Sequence, residues 1–188
     1  FQAAKIKQGQ RLYTNSGSAS MGYDLPASIG AAIATKGRRV ICLAGDGSLM
    51  MNLQELQTMQ GYNLPIKVFI LNNDGYVSIK QTQKAYFSDN VSGVGPKNGV
   101  TLPNFTKLGR ALGISSIKIT KLSDLSSTNF LKMLNNNKSG IFEIVIDPNQ
   151  GFSPKLTSRK LDDGTMVSPS LDDMSPFLGK DELAKNIF

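Results

Sequence analysis

The chain has 188 residues, 40% of them hydrophobic and 19% charged, with a formal net charge of +7; these values suit one globular domain with an appended tail and exclude a disordered chain. It contains no His, one Cys and no Trp, which excludes a Ser-His-Asp triad, a Cys-His pair, a His-ligated metal, an internal disulfide and a Cys-rich zinc site. Any chemistry must rest on carboxylates, amides, backbone groups or a bound cofactor.

No apolar run approaches the roughly 18 residues needed to cross a bilayer, so no membrane role is expected. Residues 1–7 lack both the layout of a secretory signal and an initiator Met. The chain is therefore expected to be a piece of a longer, cytoplasmic protein. Its basic residues are scattered, and the densest clusters (36–39 and 155–160) are short, so no nucleic-acid partner is expected.

In chain order, residues 25–34 read as a helix, with Leu25, Ile29, Ala32 and Ile33 on one face, Pro26 in the first turn and Gly37 as the stop. Residues 39–44 form a β-branched and apolar run, predicted as a strand buried on both faces, with Cys42 as an inert core thiol. Gly45-Asp46-Gly47-Ser48 ends that strand. A helix over 53–60 follows, with Asn52 as N-cap and Glu55 in the capping-box position. Gly61 and Pro65 close it, and 66–71 is a second strand running directly into Asn72-Asn73-Asp74-Gly75. Residues 77–87 predict a short helix and 88–99 a loop. Residues 103–112 predict a helix with Phe105, Leu108, Ala111 and Leu112 on one side. Residues 117–119 read as a strand, 124–134 as a helix and 140–146 as a final strand. Beyond Asp147 the pattern fades into a tail. Strands alternating with helices predict an α/β fold with a parallel sheet covered on both faces.

In such a sheet, ligands bind beyond the carboxyl ends of the strands. Two consecutive strands here end in polar, Gly-containing turns, one offering the carboxylate of Asp46 and the other the carboxamide of Asn73. Both are hard oxygen donors suited to Mg²⁺, which commonly shares its ligands with phosphates. Gly47 allows close backbone approach, and the Ser48 hydroxyl and nearby N–H groups are donors for phosphate oxygens. Taken singly, either turn is ordinary turn chemistry. The dinucleotide fingerprint fails because Met50 stands where its third glycine belongs, and no Gly-Lys-Ser/Thr of the phosphate-loop type is present.

Together, Gly45-Asp46-Gly47, one helix, one strand and Asn72-Asn73, with Asn73 lying 27 positions after Asp46, resemble the thiamine diphosphate (ThDP) binding motif. The upstream segment Ser16-Gly17-Ser18-Ala19-Ser20-Met21-Gly22-Tyr23-Asp24-Leu25-Pro26-Ala27 resembles the acetolactate synthase, pyruvate oxidase and 2-oxo acid decarboxylase family, and the likeness runs over about residues 10–148. It implies a three-layer α/β/α sandwich with a mainly parallel sheet. It also implies a diphosphate- and Mg²⁺-binding domain over 1–147, truncated at its start, and a tail over 148–188 that packs on or near the active site.

Carried over residue by residue, the resemblance places Mg²⁺ on Asp46, Asn73 and the Gly75 carbonyl. The diphosphate falls on Gly47 and Ser48, beside Gly45, and on backbone near Tyr76 and Val77. Met21 takes the place of the apolar wedge that bends the cofactor, ordinary core packing being its alternative. Main chain around Ala19 and Met21 meets the aminopyrimidine edge. The cofactor carries the carbanion chemistry, so the protein has to bind, bend and orient it. The implied reaction is decarboxylation or carboligation of a small 2-oxo acid, as a transferase or lyase; the alternative is a binding or regulatory module that keeps the fold without turnover.

No catalytic residue is assigned within the chain. The glutamate that activates the aminopyrimidine comes, in this family, from a pyrimidine-binding domain of the parent protein in a partner subunit, which implies a homodimer or homotetramer. Glu55 is better explained by helix capping. Acetolactate synthases carry a Trp a few residues past the Asn pair; here Gln81-Thr82-Gln83 stand near that position. Lys80, Gln81 and Gln83 are expected either to face substrate or to be solvated helix surface. The same two readings hold for Lys155, Arg159 and Lys160.

Overall fold

Four short apolar runs pair in parallel and set the frame for everything else. The computed structural model describes residues 4–87, 90–151 and 153–186, in two units, Phe1–Pro148 and Asn149–Phe188. In the first unit, β1 (Val40–Gly45), β2 (Ile66–Asn72), β3 (Ser116–Ile119) and β4 (Gly140–Val145) form one sheet in the order β1-β2-β4-β3, every pair parallel. The helices are α1 (Asp24–Ala34), α2 (Asp46–Met50), α3 (Glu55–Gly61), α4 (Val77–Phe87), α5 (Phe105–Ala111) and α6 (Thr128–Asn135). Alternating positions on the pleat divide the sheet's side chains between two faces.

One face carries Cys42, Ala44, Ile66, Val68, Ile70 and Ile141. It is covered by Leu25, Ile29 and Ala32 of α1, Leu56 and Met59 of α3, and Phe105 of α5. The opposite face carries Phe69, Ile117, Phe142 and Ile144, onto which α6 brings Phe130 and Met133. Phe69 stacks on Phe142 with ring centroids 4.6 Å apart, and Phe130 meets Phe142 edge-on at 5.4 Å. The expected α/β sandwich is thus present.

Several local expectations need correction. β1 is not buried on both faces: Ile41 is 48% and Leu43 56% exposed, because α6 covers the β3–β4 half of their face. On α1 the buried positions are Leu25, Ser28, Ile29 and Ala32, and Ile33 points outward; Ser28 fits the stripe because its hydroxyl bonds the Asp24 carbonyl at 2.8 Å. The Asn52 capping box does not form. The α3 N-cap is Gln54, without a side-chain cap, and Asn52 instead donates to the Gly22 carbonyl at 2.7 Å.

On α5, Gly109 and Thr106 join Phe105 in the buried stripe while Ala111 is exposed. Gly109 is needed because a Cβ there would collide with the Ser116 hydroxyl. The helix expected over 124–134 is divided into a 3₁₀ turn, Leu122–Ser126, and α6, because Ser127 turns extended and caps α6 by accepting the Phe130 N–H. The predicted 88–99 loop contains a 3₁₀ turn, Pro96–Asn98; residues 88 and 89 lie outside the described residues. The second unit is not featureless. It holds the antiparallel pair β5 (Arg159–Lys160) and β6 (Met166–Val167) and helix α7 (Lys180–Asn186). The side chains of Arg159 and Lys160 lie outside the described residues, and Lys155 is exposed. No described helix is long and apolar enough to cross a membrane.

Lys67 is fully buried in the middle of this frame. Its Nζ donates to the Met133 carbonyl at 2.6 Å, Asn136 Oδ1 at 2.8 Å and the Lys138 carbonyl at 2.6 Å, so one ammonium closes the C-terminus of α6. Burial, with a smaller repulsion from Arg39, lowers its pKa from 10.5 to about 8. Lys67→Met takes the donor from the Met133 and Lys138 carbonyls and leaves Asn136 Oδ1 with the Lys138 N–H alone, and is expected to cost about 2–4 kcal/mol in urea denaturation at neutral pH. Between about 8 and 10.5 the unfolded chain binds more protons at Lys67 than the folded one, so the wild-type advantage over Lys67→Met is expected to widen as pH rises through that window. A loss under about 1 kcal/mol would show that α6 closes without this donor.

Candidate functional site

The carboxyl ends of β1 and β2 lie side by side, Gly45 opposite Leu71 in the parallel register. Gly45 is extended (φ −70°, ψ 152°) and serves as N-cap, so Asp46-Gly47-Ser48 is the first turn of α2 and not a free turn after the strand. That first turn leaves backbone N–H groups without helical partners. Asp46 falls back over it: Oδ1 accepts the Gly47 N–H at 2.7 Å, and Oδ2 accepts the N–H groups of Asn73 and Gly75, each at 3.0 Å. One carboxylate, 2% exposed, therefore ties together the loops leaving both strands. Burial pushes its carboxyl above the ordinary range, while the N–H groups of Gly75, Gly47, Asp74 and Asn73 pull part of that rise back.

Asn73 Oδ1 is buried and finds no hydrogen-bond partner among the described residues. A buried acceptor without a donor is costly, and the main-chain N–H of the same residue is held by the Asp46 carboxylate. A carboxylate offers about four acceptor positions, and the three N–H bonds leave one on Asp46. The Gly75 carbonyl accepts the Val77 N–H at 3.2 Å and keeps a second lone pair. Three oxygens of the expected set thus each retain capacity for a hard cation, and their chemistry fits Mg²⁺. No group of three or more His, Cys, Asp and Glu side chains gathers among the described residues; this set needs only one carboxylate.

Every residue assigned to cofactor or metal from sequence, except Ala19, lines a single cleft of about 180 Å³. Ala19 sits on the preceding loop in a left-handed conformation (φ 49°), its N–H bonded to the Asn15 carbonyl at 2.7 Å. Met21 is 42% exposed on the cleft, which removes core packing as its explanation. Ser78 and Ile79 also line the cleft and escaped sequence reasoning. The available signal was their place in the first turn of α4, whose N–H groups lack helical partners.

Two contacts differ in kind from those expected. The Tyr76 N–H is committed to the Val94 carbonyl at 2.8 Å, so it offers no hydrogen to an anion. The tyrosine ring instead lies where a Cβ on Gly47 would sit. The Ser48 hydroxyl donates to Asp24 Oδ2 at 2.6 Å and accepts the Gly22 N–H at 2.9 Å. Asn72, the first of the Asn pair, is a strut: its Nδ2 donates to buried Glu143 at 2.9 Å, and its Oδ1 accepts the Asp74 N–H at 3.1 Å. Glu143 Oε1 is also 3.2 Å from Lys118 Nζ. Asp24 and Glu143 carried no sequence signal, since each acts through a partner distant in the chain.

Glu55 lies in the first turn of α3, away from the cleft lining. Gln83 clamps the following loop through the Ser92 N–H and carbonyl. Burial pushes the Cys42 thiol up to about 12, which leaves it an unreactive core group.

Gly75 has φ +132°, and a Cβ there would run into the Val94 carbonyl oxygen. Gly75→Ala is therefore expected to destabilise the chain by roughly 2–3 kcal/mol, read as a lowered Tm. An unchanged Tm would mean that this loop rearranges freely.

Comparison with known proteins agrees with this geometry. The model of the thiamine pyrophosphate enzyme C-terminal TPP-binding domain matches residues 1–144. The acetolactate synthase large subunit of Cyanidium caldarium is 41% identical over 126 residues, 67% of this chain and 21% of the relative. That of Parasynechococcus marenigrum (strain WH8102) is 39% identical over 121 residues, 64% of this chain and 19% of the relative. Among solved structures, the ThDP-dependent 4-hydroxybenzoylformate decarboxylase of Rhodococcus jostii RHA1 superposes with a TM-score of 0.60 at 25% identity, over 69% of this chain and 24% of that one. The chain spans about a fifth to a quarter of the length of these proteins.

Proposed function

Because the chain belongs to the C-terminal TPP-binding domain family of thiamine pyrophosphate enzymes, we propose that it holds Mg²⁺ and the diphosphate end of ThDP in the cleft above β1 and β2. It does so as part of an enzyme that decarboxylates or carboligates a small 2-oxo acid, in the manner of acetolactate synthase. The observation that carries this reading is the buried, unpartnered Oδ1 of Asn73, a residue whose main-chain N–H is held by the Asp46 carboxylate on the same cleft; a divalent cation suits both acceptor groups.

When bound, ThDP supplies the electron sink for the carbanion chemistry. The residues of the chain bind and orient. Asp46, Asn73 and the Gly75 carbonyl hold Mg²⁺. The N–H groups at the starts of α2 and α4, from Ser48 and Ser78, face the diphosphate, and Met21 supports the cofactor from the cleft wall.

Among the described residues the cleft lining contains no carboxylate besides Asp46, and Asp46 is taken up by the Gly47, Asn73 and Gly75 N–H groups. The group that activates the aminopyrimidine therefore comes from elsewhere, and we assign it to a pyrimidine-binding domain of the parent protein in a partner subunit of a homodimer or homotetramer. Helix α4 supports such a partner: it buries none of its residues and exposes Ile79 on the cleft and Tyr86 and Phe87 at its other end, as a surface awaiting cover does.

Titration calorimetry of ThDP into the chain, with and without Mg²⁺, tests the ligand set. Asp46→Ala is expected to abolish the Mg²⁺-dependent part of binding, a loss exceeding the ~10–100-fold typical of removing an outer-shell partner. Metal-dependent affinity that survives the change overturns the assignment. The 188-residue chain by itself is expected to show no turnover of 2-oxo acids; full turnover without another polypeptide would refute the need for a partner.

A further inference from the structure

A serine hydroxyl has one proton to give and two lone pairs. At the cleft, Ser48 gives its proton to Asp24 Oδ2 at 2.6 Å, while its oxygen accepts the Gly22 N–H at 2.9 Å. The other oxygen of Asp24 accepts the Leu25 N–H at 2.8 Å, so both carboxylate oxygens have fixed duties. Ser48 lines the cleft, and among the described residues no Lys or Arg does.

From this we propose that Asp24 is a positioning residue that sets the polarity of Ser48: by taking the hydroxyl proton it makes Ser48 a strut to Gly22 and withholds a donor from the diphosphate. The inference rests on the reading of the cleft as a Mg²⁺–diphosphate site and deepens it, because it names what limits affinity there. The strut has a use. Gly22 follows Met21 and adopts φ +83°, and a Cβ on it would strike the side chain of Met51. Ser48, together with Asn52 on the Gly22 carbonyl, thus locks the turn that presents Met21 to the cleft. Anion recognition is left to backbone N–H groups and the metal, with the negative charge of Asp24 standing behind Ser48.

Asp24→Asn reverses the polarity. The Leu25 N–H still needs an acceptor, so the remaining oxygen stays there and the new NH₂ turns to the Ser48 oxygen. Ser48 then accepts from two N–H groups, and its own proton is free to point into the cleft. Calorimetry in the presence of Mg²⁺ is expected to show ThDP binding the Asp24→Asn chain about 5-fold more tightly, the gain of one donor to an anion. Affinity for thiamine, which lacks the diphosphate, is expected to be unchanged, a selectivity that a general loosening of the fold would not produce.

In a Ser48→Ala background the same Asp24→Asn change is expected to gain no more than about 2-fold, since the hydroxyl that carries the effect is gone. Asp24→Ala, which removes the acceptor without adding a donor, serves as a second variant and is expected to tighten ThDP binding in the same direction. Unchanged or weaker ThDP binding in both Asp24 variants, with Asp46→Ala still abolishing metal dependence, overturns this inference and leaves the cofactor assignment standing. An equal gain with and without the Ser48 hydroxyl also overturns it. Binding indifferent to Asp46→Ala removes both readings.

Discussion

The structure depends on one buried carboxylate that joins two loops from adjacent strands. Asp46 belongs to the loop after β1, yet two of its three hydrogen bonds reach the loop after β2. Without these bonds, the N–H groups of Asn73 and Gly75 would be buried donors lacking acceptors. The bonds also hold Asp74 and Gly75 at positive φ, 64° and 132°, conformations that cost energy and persist only where surroundings impose them. That backbone leaves Asn73 Oδ1 without a donor among the described residues. The orphaned acceptor is thus a consequence of how the loop is tied, and under the proposed function a cation would complete it.

The support for that tie lies deeper in the sheet. β2 carries a buried charge at its start, Lys67, and an amide strut at its end, Asn72. Lys67 anchors the end of α6 against one face, while Asn72 leans on Glu143 of β4, which is itself paired with Lys118 of β3. Isolated buried charges would be costly, but Lys67 meets three acceptors and Glu143 meets Asn72 and Lys118 through Oε1, its Oε2 alone finding no partner among the described residues. Their placement links the edge of the cleft to the central strands, so the loop after β2 inherits the rigidity of the sheet. The wall on the other side is fixed differently, through Ser48, Asn52 and the Gly22 turn.

Much of this was legible in the sequence because it depends on local pattern. The four strands follow from β-branched apolar runs, and Gly-Asp-Gly followed by Asn-Asn, with the upstream Met21 segment, located the cleft lining apart from Ser78 and Ile79, while Ala19 falls outside it. What escaped depends on partners distant in the chain. Ile41 and Leu43 look like residues buried on both faces, but burial of a strand depends on where a helix lands, and α6 lands elsewhere. Asn52 has the composition of an N-cap, but Gly22, thirty positions away, offers a better use for its amide. Ser48 reads as a phosphate donor until Asp24 is folded against it, and Tyr76 until its N–H meets Val94. A residue type announces which hydrogen bonds it can make; only the fold decides which partner receives them.

The chain's net charge of +7 suggests that cations would gather where an anion binds, yet among the described residues no Lys or Arg lines the cleft. Physical chemistry favours this arrangement for a Mg²⁺-bridged diphosphate. The divalent ion already supplies a concentrated, directional positive charge, and a flexible ammonium nearby would compete for the same oxygens while costing side-chain entropy on ordering. Backbone N–H groups at the starts of α2 and α4 are ordered by folding itself, so they face an anion without further loss of freedom. A cleft built in this way binds the anion weakly in the absence of the cation and selectively in its presence. Under the proposed function, recognition would thereby be tied to the metal through Asp46 and Asn73, the two groups that the ends of β1 and β2 bring to one cleft.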